Sequence, residues 1–178
     1  MTVTWLAVTV TWYVLLIAVI VIERLAELVV SKSHSSWSHE RGGIEVGGGH
    51  YPVMVALHTA LLVGCLAEVI ALHRPFIPSL GWPMLAVVVS AQTLRWWCIT
   101  TLGRHWNIRV IVIPGARRIT GGPYRLLPHP NYVAVVAEGI ALPLVHSAWI
   151  TAAVFTVLNA VLLKTRIKVE NDALAGLT

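Results

Sequence analysis

The sequence predicts an all-α integral membrane protein with about five transmembrane helices, on three observations. Hydrophobic residues make up 57% of the chain and charged residues 12%, whereas soluble domains carry about 25% charged residues. The mean hydropathy is +0.76. Five apolar segments can be drawn, and the basic residues between them fall on one side, as membrane topology requires. At 178 residues the chain is expected to form one domain, 1–178. Residues 1–100 would supply three helices, and residues 101–178 a second sector built from a helical hairpin and a C-terminal helix.

Each segment has its own reason. Val3–Ile22 carries no charge and is long enough to cross about 30 Å of hydrocarbon. It lacks the basic flank and small-residue cleavage site of a signal peptide, so a retained first helix is expected. Ser31–His50 is polar and ends in Gly47-Gly48-Gly49, which predicts a flexible loop. Tyr51–Leu72 and Leu80–Thr100 give the second and third helices, joined by a turn containing Pro75 and Pro78. Gly103–His129 is a long loop carrying Arg104, Arg109, Arg117, Arg118 and Arg125 without an acid, and its middle, Ile108–Ile113, reads as a short extended piece. Asn131–Leu144 and Ala148–Leu163 form a tight hairpin about Pro143–Ser147. The first leg is short for a full crossing: it either extends back through His129 or enters only partway. Lys164–Leu174 has helical composition and mixed charge. Cys65 and Cys98 lie inside apolar segments without metal-ligand spacing and read as small core residues.

With five crossings, Arg24, Lys32, Arg41, the loop arginines, Lys164, Arg166 and Lys168 share one side, and Arg74 alone lies opposite. The expected topology is an outside N-terminus and a cytoplasmic basic side, in the cell membrane. The pI near 9.7 then reflects topology, and no nucleic-acid partner is expected.

Ionisable groups at the centre of membrane helices cost roughly 2.5–3.5 kcal/mol each on insertion scales, and this chain has several. Glu23, Arg24 and Glu27 occupy the cytoplasmic end of the first helix, Glu23 and Glu27 on one face. The second carries His58 and Glu68, the third Gln92 and Arg95, and the fourth Glu138. Interhelical pairing and snorkelling account for those near an interface, and a bundle-facing structural role is preferred for His58 and Glu68. His34, His39 and His50 match no metal-ligand spacing, so no metal is expected. No nucleophile–histidine–acid set stands out, and Gly47–Gly49 lacks the lysine of a phosphate loop. A reaction that mainly aligns two ligands stays open.

The polar seam lies toward the C-terminus, in Gly122-Pro123-Tyr124-Arg125, His129-Pro130-Asn131-Tyr132 and Arg166-Ile167-Lys168-Val169-Glu170-Asn171. Pro130 suits an early helix position, where free amides, or His129, would face an anion. Arg166 and Glu170, four apart, share a helix face. They either hold a zwitterionic amino-acid moiety or form a surface ion pair worth under about 1 kcal/mol.

Together with Leu102-Gly103-Arg104-His105-Trp106, these motifs resemble the isoprenylcysteine carboxyl methyltransferase family of membrane enzymes, over roughly Arg95–Leu174. His-Pro-x-Tyr alone is weak; the order and spacing of the four motifs together are specific. The resemblance implies an S-adenosylmethionine-dependent methyltransferase with a cytoplasmic cofactor sector formed by the third loop and the C-terminal helix. A lipophilic small-molecule acceptor would enter from membrane lipid through a separate opening. The implied cofactor-binding residues are His105, Gly122, Tyr124, His129, Pro130, Tyr132, Arg166, Glu170 and Asn171. Asn171 departs from the family, which often has a second acid there; it either alters the cofactor contact or marks a different substrate branch. Glu23–Leu28, Gly47–Pro52 and Ile111–Gly115 look closer to a small bacterial branch, associated with type III polyketide synthases, that O-methylates alkylpyrones or alkylresorcinols. The implied acceptor is such a long-chain polyketide, or else a prenylcysteine-like carboxylate.

The expected chemistry is in-line methyl transfer to an oxygen, which needs alignment and exclusion of water. Arg95 and neighbouring arginines would favour an oxyanion, and Glu27 or His50 are the candidate bases. Two rival readings are an NADPH-dependent membrane reductase of the sterol/steroid type, which has a similar C-terminal sector, and a non-catalytic membrane scaffold or transporter. A transporter would show polar residues along a whole crossing and repeated halves, and neither is seen. The oligomeric state is not legible.

Overall fold

The computed structural model describes residues 2–175, with side chains from Val8 onward; the expected domain ends at residues 1 and 178 lie outside the described residues. The helices are α1 (Thr2–His39), α2 (Tyr51–Ala71), α3 (Pro78–Leu102), α4 (Pro130–Leu144) and α5 (Trp149–Ala175), with two short strands, β1 (Ile44–Val46) and β2 (Val110–Val112). Prolines stand in the first turns of α2, α3 and α4, where the missing N–H has no intrahelical partner to lose.

Two expectations are corrected. The polar run from Ser31 is not a flexible loop up to His50: α1 continues to His39, and its 38 residues span about 57 Å, well beyond the hydrocarbon. No glycine or proline interrupts the chain before Gly42. The hydroxyls of Ser36 and Ser38 fold back onto the carbonyls of Lys32 and His34, at 3.3 and 2.9 Å, so the serines are satisfied within the helix rather than competing with it. The glycines then turn the chain into β1, which pairs antiparallel with β2 (Ile44 opposite Val112, Val46 opposite Val110). The extended piece expected within Ile108–Ile113 is thus present as β2. The second correction is that the charged tail is not a separate C-terminal helix but the continuation of α5, a single helix of 27 residues.

Among the described residues, three helical stretches are long and apolar enough to cross a membrane: 48–71, 78–105 and 149–175. The 15-residue α4, about 22 Å long, is shorter than the hydrocarbon core and starts at Pro130 instead of reaching back through His129. It is sandwiched between α3 and α5, and α5 also packs on α2. Gly139 permits the α4–α5 approach, since a Cβ there would stand 2.1 Å from the Phe155 ring. Tyr13, Leu61, Val69, Val88, Leu142 and Phe155 centre the buried core. The outer face exposes Leu15, Val19, Ile22, Val63, Val157 and Val161, a surface that suits lipid tails and would aggregate in water.

One end of the bundle is closed by polar bonding. The Tyr13 hydroxyl donates to the Leu142 carbonyl at 3.0 Å, an acceptor left over at the end of α4. Glu68, in the last turn of α2, accepts from the Ile150 and Thr151 amides at 3.1 and 2.7 Å and from the Thr151 hydroxyl at 2.8 Å. It also pairs with Arg74 at 2.8 Å. Glu68 therefore caps α5, the structural role expected for it.

Candidate functional site

At the opposite end, His129, Tyr132, Arg166, Glu170 and Asn171 meet. Pro130 starts α4 directly after His129, so the His129 and Tyr132 rings stack with centroids 5.3 Å apart. Helical spacing on α5 brings Arg166 and Glu170 to the same tyrosine: Arg166 Nε donates to the Tyr132 oxygen at 3.0 Å, and the Tyr132 hydroxyl donates to Glu170. His129 lies 3.6 Å from the Glu170 carboxylate through Nδ1 and 3.1 Å from Asn171 Oδ1 through Nε2. The position that lacks the second acid is thus a direct histidine partner.

Two cavities flank this cluster. The smaller, about 180 Å³, is the more polar of the two and is lined by His105, Arg109, Arg117, Arg118, Tyr124, Arg166 and Glu170 together with Val110, Ile111 and Val112 of β2. Gly122 lies just before Tyr124: φ is +53° and a Cβ would stand 2.5 Å from the Thr101 hydroxyl, so only glycine allows the following Pro123-Tyr124 turn this close to α3. Burial, reinforced by the Cys98 thiol beside it, pushes the Tyr124 hydroxyl above the usual phenol range, so it serves as a protonated hydrogen-bonding group. His105 packs edge-on against Trp37, 5.2 Å between centroids, which ties the extension of α1 to the site.

The larger cavity, about 360 Å³, is mostly apolar and is lined by residues of all five helices, within the roughly 300–1,000 Å³ of small-molecule sites. Its walls include Leu25, Leu62, Val63, Val135 and Leu162, and its polar groups Arg24, Glu27, His58, Arg95, Tyr132 and Arg166. Arg24 reaches both Glu138 oxygens at 2.7 and 2.6 Å and Glu27 at 2.7 Å. Arg95 pairs with Glu138 and lies 3.6 Å from Glu27. Gln92 and Glu23 extend the network, Gln92 donating to Glu23. Arg95 is therefore not an open cationic site: the two arginines face two carboxylates in a closed set.

Of the expected catalytic residues, Arg95 and Glu27 come together on the apolar cavity, while His50 lines neither of the two cavities. Of the expected cofactor residues, His105, Tyr124, Arg166 and Glu170 line the polar cavity and Tyr132 the apolar one; His129 and Asn171 flank Glu170; Gly122 and Pro130 shape the backbone. Both cavities draw on either side of residue 100. Asn107, Asn131 and Asn159, which are not among the expected site residues, line the apolar cavity, and Arg109, Arg117 and Arg118, expected only as topological charge, line the polar one. Asn159 lay in plain view, seven residues before Arg166 and so on the same helix face.

Residues 84–176 match the isoprenylcysteine carboxyl methyltransferase (ICMT) family. The chain is similar to the uncharacterized protein YpbQ of Bacillus subtilis (strain 168), 37% identical over 161 residues that cover 90% of this chain and 95% of the relative. It is also similar to an uncharacterized protein of Haemophilus influenzae, 24% identical over 155 residues, 86% of this chain and 90% of the relative.

Proposed function

The chain belongs to the isoprenylcysteine carboxyl methyltransferase family of membrane methyltransferases, and from that premise we propose that it is an S-adenosylmethionine-dependent O-methyltransferase acting on a lipophilic acceptor. The observation that carries this reading is that a polar cavity and an apolar cavity meet at a shared wall, Arg166 and Asn107 lining both. Two ligands of unlike polarity would be brought side by side, and alignment is the main requirement of a displacement reaction.

The polar cavity has the groups such a cofactor needs. Its amino-acid end calls for an acid and cations, and Glu170 stands there with Arg166, Arg117 and Arg118. The enclosed volume of about 180 Å³ is below the usual range for small-molecule sites, so part of the cofactor would lie along the rim, where His129 and Asn171 flank Glu170. When bound, the cofactor supplies a methyl group made electrophilic by its sulfonium. Arg166, fixed through Tyr132 and the Ile108 carbonyl, holds the partition between the two ligands. Glu27, buried on the apolar wall, would receive the proton of an acceptor hydroxyl, and Arg24 and Arg95 would hold that carboxylate in place. The apolar helices exclude water and take the acyl chain.

The acceptor in this proposal is a long-chain alkylpyrone or alkylresorcinol in preference to a prenylcysteine-like carboxylate. The site faces the cytoplasm of the cell membrane and the N-terminus lies outside, since the loop arginines share that side. Purified protein should bind radiolabelled S-adenosylmethionine, and His129→Ala should weaken that binding about tenfold or more. Binding of NADPH with no S-adenosylmethionine binding would transfer the assignment to the reductase reading. Lipid extracts from cells lacking the gene should contain an acceptor lighter by one CH₂.

A further inference from the structure

His58 stands in α2 on the wall of the apolar cavity, half-buried, and its two ring nitrogens are used differently. Nδ1 lies 2.9 Å from the Met54 carbonyl, one turn earlier. A carbonyl oxygen only accepts, so Nδ1 carries the proton of the neutral ring and Nε2 keeps its lone pair. Nε2 makes no hydrogen bond among the described residues, yet it is not sealed in as both ring nitrogens of His146 are. For a half-buried residue on this wall, the space left open to it is the cavity. The buried Phe155 packs edge-on against the ring, 5.4 Å between centroids, and so holds its orientation from the core side. The bundle-facing role expected of His58 accounts for Nδ1 and the ring, and leaves Nε2 without a use.

The residue is also close to where two ligands would meet. Met54, whose carbonyl orients His58, touches Arg166 through Sδ, and Arg166 lines both cavities. The other ionisable groups on the wall are Arg24 and Glu27 of α1, Arg95 of α3, Tyr132 of α4 and Arg166 of α5, with Glu138 paired to Arg24 and Arg95. Glu27 Oε1 receives Arg24 and lies 3.6 Å from Arg95, and the Tyr132 hydroxyl donates to Glu170. A general base works best when its pKa lies near the working pH. An imidazole, ordinarily at about 6.5, meets that condition as it stands, whereas a carboxylate, ordinarily at about 4.3, needs adjustment.

We propose that His58 is a catalytic base of the acceptor site: Nε2 accepts the hydrogen bond of the acceptor hydroxyl and takes its proton during transfer, ahead of Glu27. The proposal rests on the reading of this cavity as the acceptor site and refines the route of the proton within it. As the O–H proton passes to Nε2, an electron pair on the oxygen forms the bond to the methyl carbon, and the carbon–sulfur pair returns to sulfur. The positive charge given up by the sulfonium reappears on the imidazolium, so atoms and charge balance.

The test uses the full chain in lipid nanodiscs and has two readouts, with the melting temperature of every variant measured in parallel. The first, without S-adenosylmethionine, is the absorbance of a bound nitrophenol carrying a dodecyl chain, which distinguishes phenol from phenolate. The wild type should keep the bound dye as phenolate down to about one pH unit lower than His58→Phe or His58→Gln does. The second is methylation of pentadecylresorcinol, whose turnover should fall about a hundredfold or more in either variant while S-adenosylmethionine binding is retained. Two variants are used so that failure of one to fold leaves the test intact. Dye ionisation unchanged in the His58 variants, or lost in Glu27→Gln alone, would overturn the proposal and leave the proton to Glu27. Failure here is separable from failure of the methyltransferase reading. If the dye ionises through His58 but S-adenosylmethionine does not bind, the methyl-transfer reading falls and the proton-accepting site stands. If methyl transfer runs at the full rate in the His58 variants, the base assignment falls and the methyltransferase stands.

Discussion

Glu68 and Asn159 are both polar, both buried and both set in apolar helices, and they are partnered in opposite ways. Glu68, at 8% exposure, spends its oxygens on two backbone amides, a hydroxyl and a guanidinium. Asn159, at 3% exposure, has an oxygen that accepts nothing. Glu68, at the closed end of the bundle, is saturated as built, whereas Asn159, in the middle of α5, is not. Buried polarity in a membrane helix is thus not one signal, and its degree of saturation differs from place to place. The Arg24–Glu138–Arg95–Glu27 set is saturated like Glu68, and three of its members, Arg24, Arg95 and Glu27, stand on the wall of the apolar cavity.

That comparison can be strained at three points. The largest effect is expected from Glu138→Ala, which leaves two buried guanidiniums short of a carboxylate and should cost about 3–5 kcal/mol in reversible unfolding from detergent; replacing Arg95 by Met in the same chain should recover part of the loss. Next, Glu68→Ala removes a cap from α5 and two amide acceptors, and a loss of about 2–4 kcal/mol is expected, with S-adenosylmethionine affinity unchanged at a temperature where the fold is intact. A fall in cofactor affinity without a fall in stability would erase the distinction between the two ends. Smallest is Glu45→Ala, which breaks the pair with Arg109 at 3.0 Å, the arginine 46% exposed. Under about 1 kcal/mol is expected, read as a slight shift in melting temperature that vanishes in high salt.

The apolar helices were legible because length and hydropathy speak directly to the thickness of a bilayer, and the tight turn near Pro143 announced the α4–α5 hairpin. The C-terminal seam was legible because proline, histidine and paired charges are conspicuous in such surroundings. What escaped notice had physical reasons. Ser31–His39 is polar without being a breaker, so composition suggested a loop where serine hydroxyls bonded to their own helix allow α1 to continue. Arg24 and Glu138 are far apart in the chain, and nothing local says that they neutralise each other, so Arg95 read as an available cation. The asparagines carry no charge; each is unremarkable in its own segment, and only the fold sets them around one space.

The continuity of α5 has a mechanical consequence. Asn159, Arg166 and Glu170 are marks on one rod, with about 1.5 Å of rise and 100° of rotation fixed between neighbours. The spacing and the angular phase between the α5 residues of the two cavities are therefore written in covalent geometry and not left to loop closure. Adding one residue between Asn159 and Arg166 would swing every later side chain by more than a quarter turn. Adding one between Ile113 and Gly121, in the arginine loop, would shift the loop residues that line the polar cavity but leave the register of the rod unchanged. Divergence in length along chains of this kind belongs in that loop, and the rod is where the register is kept.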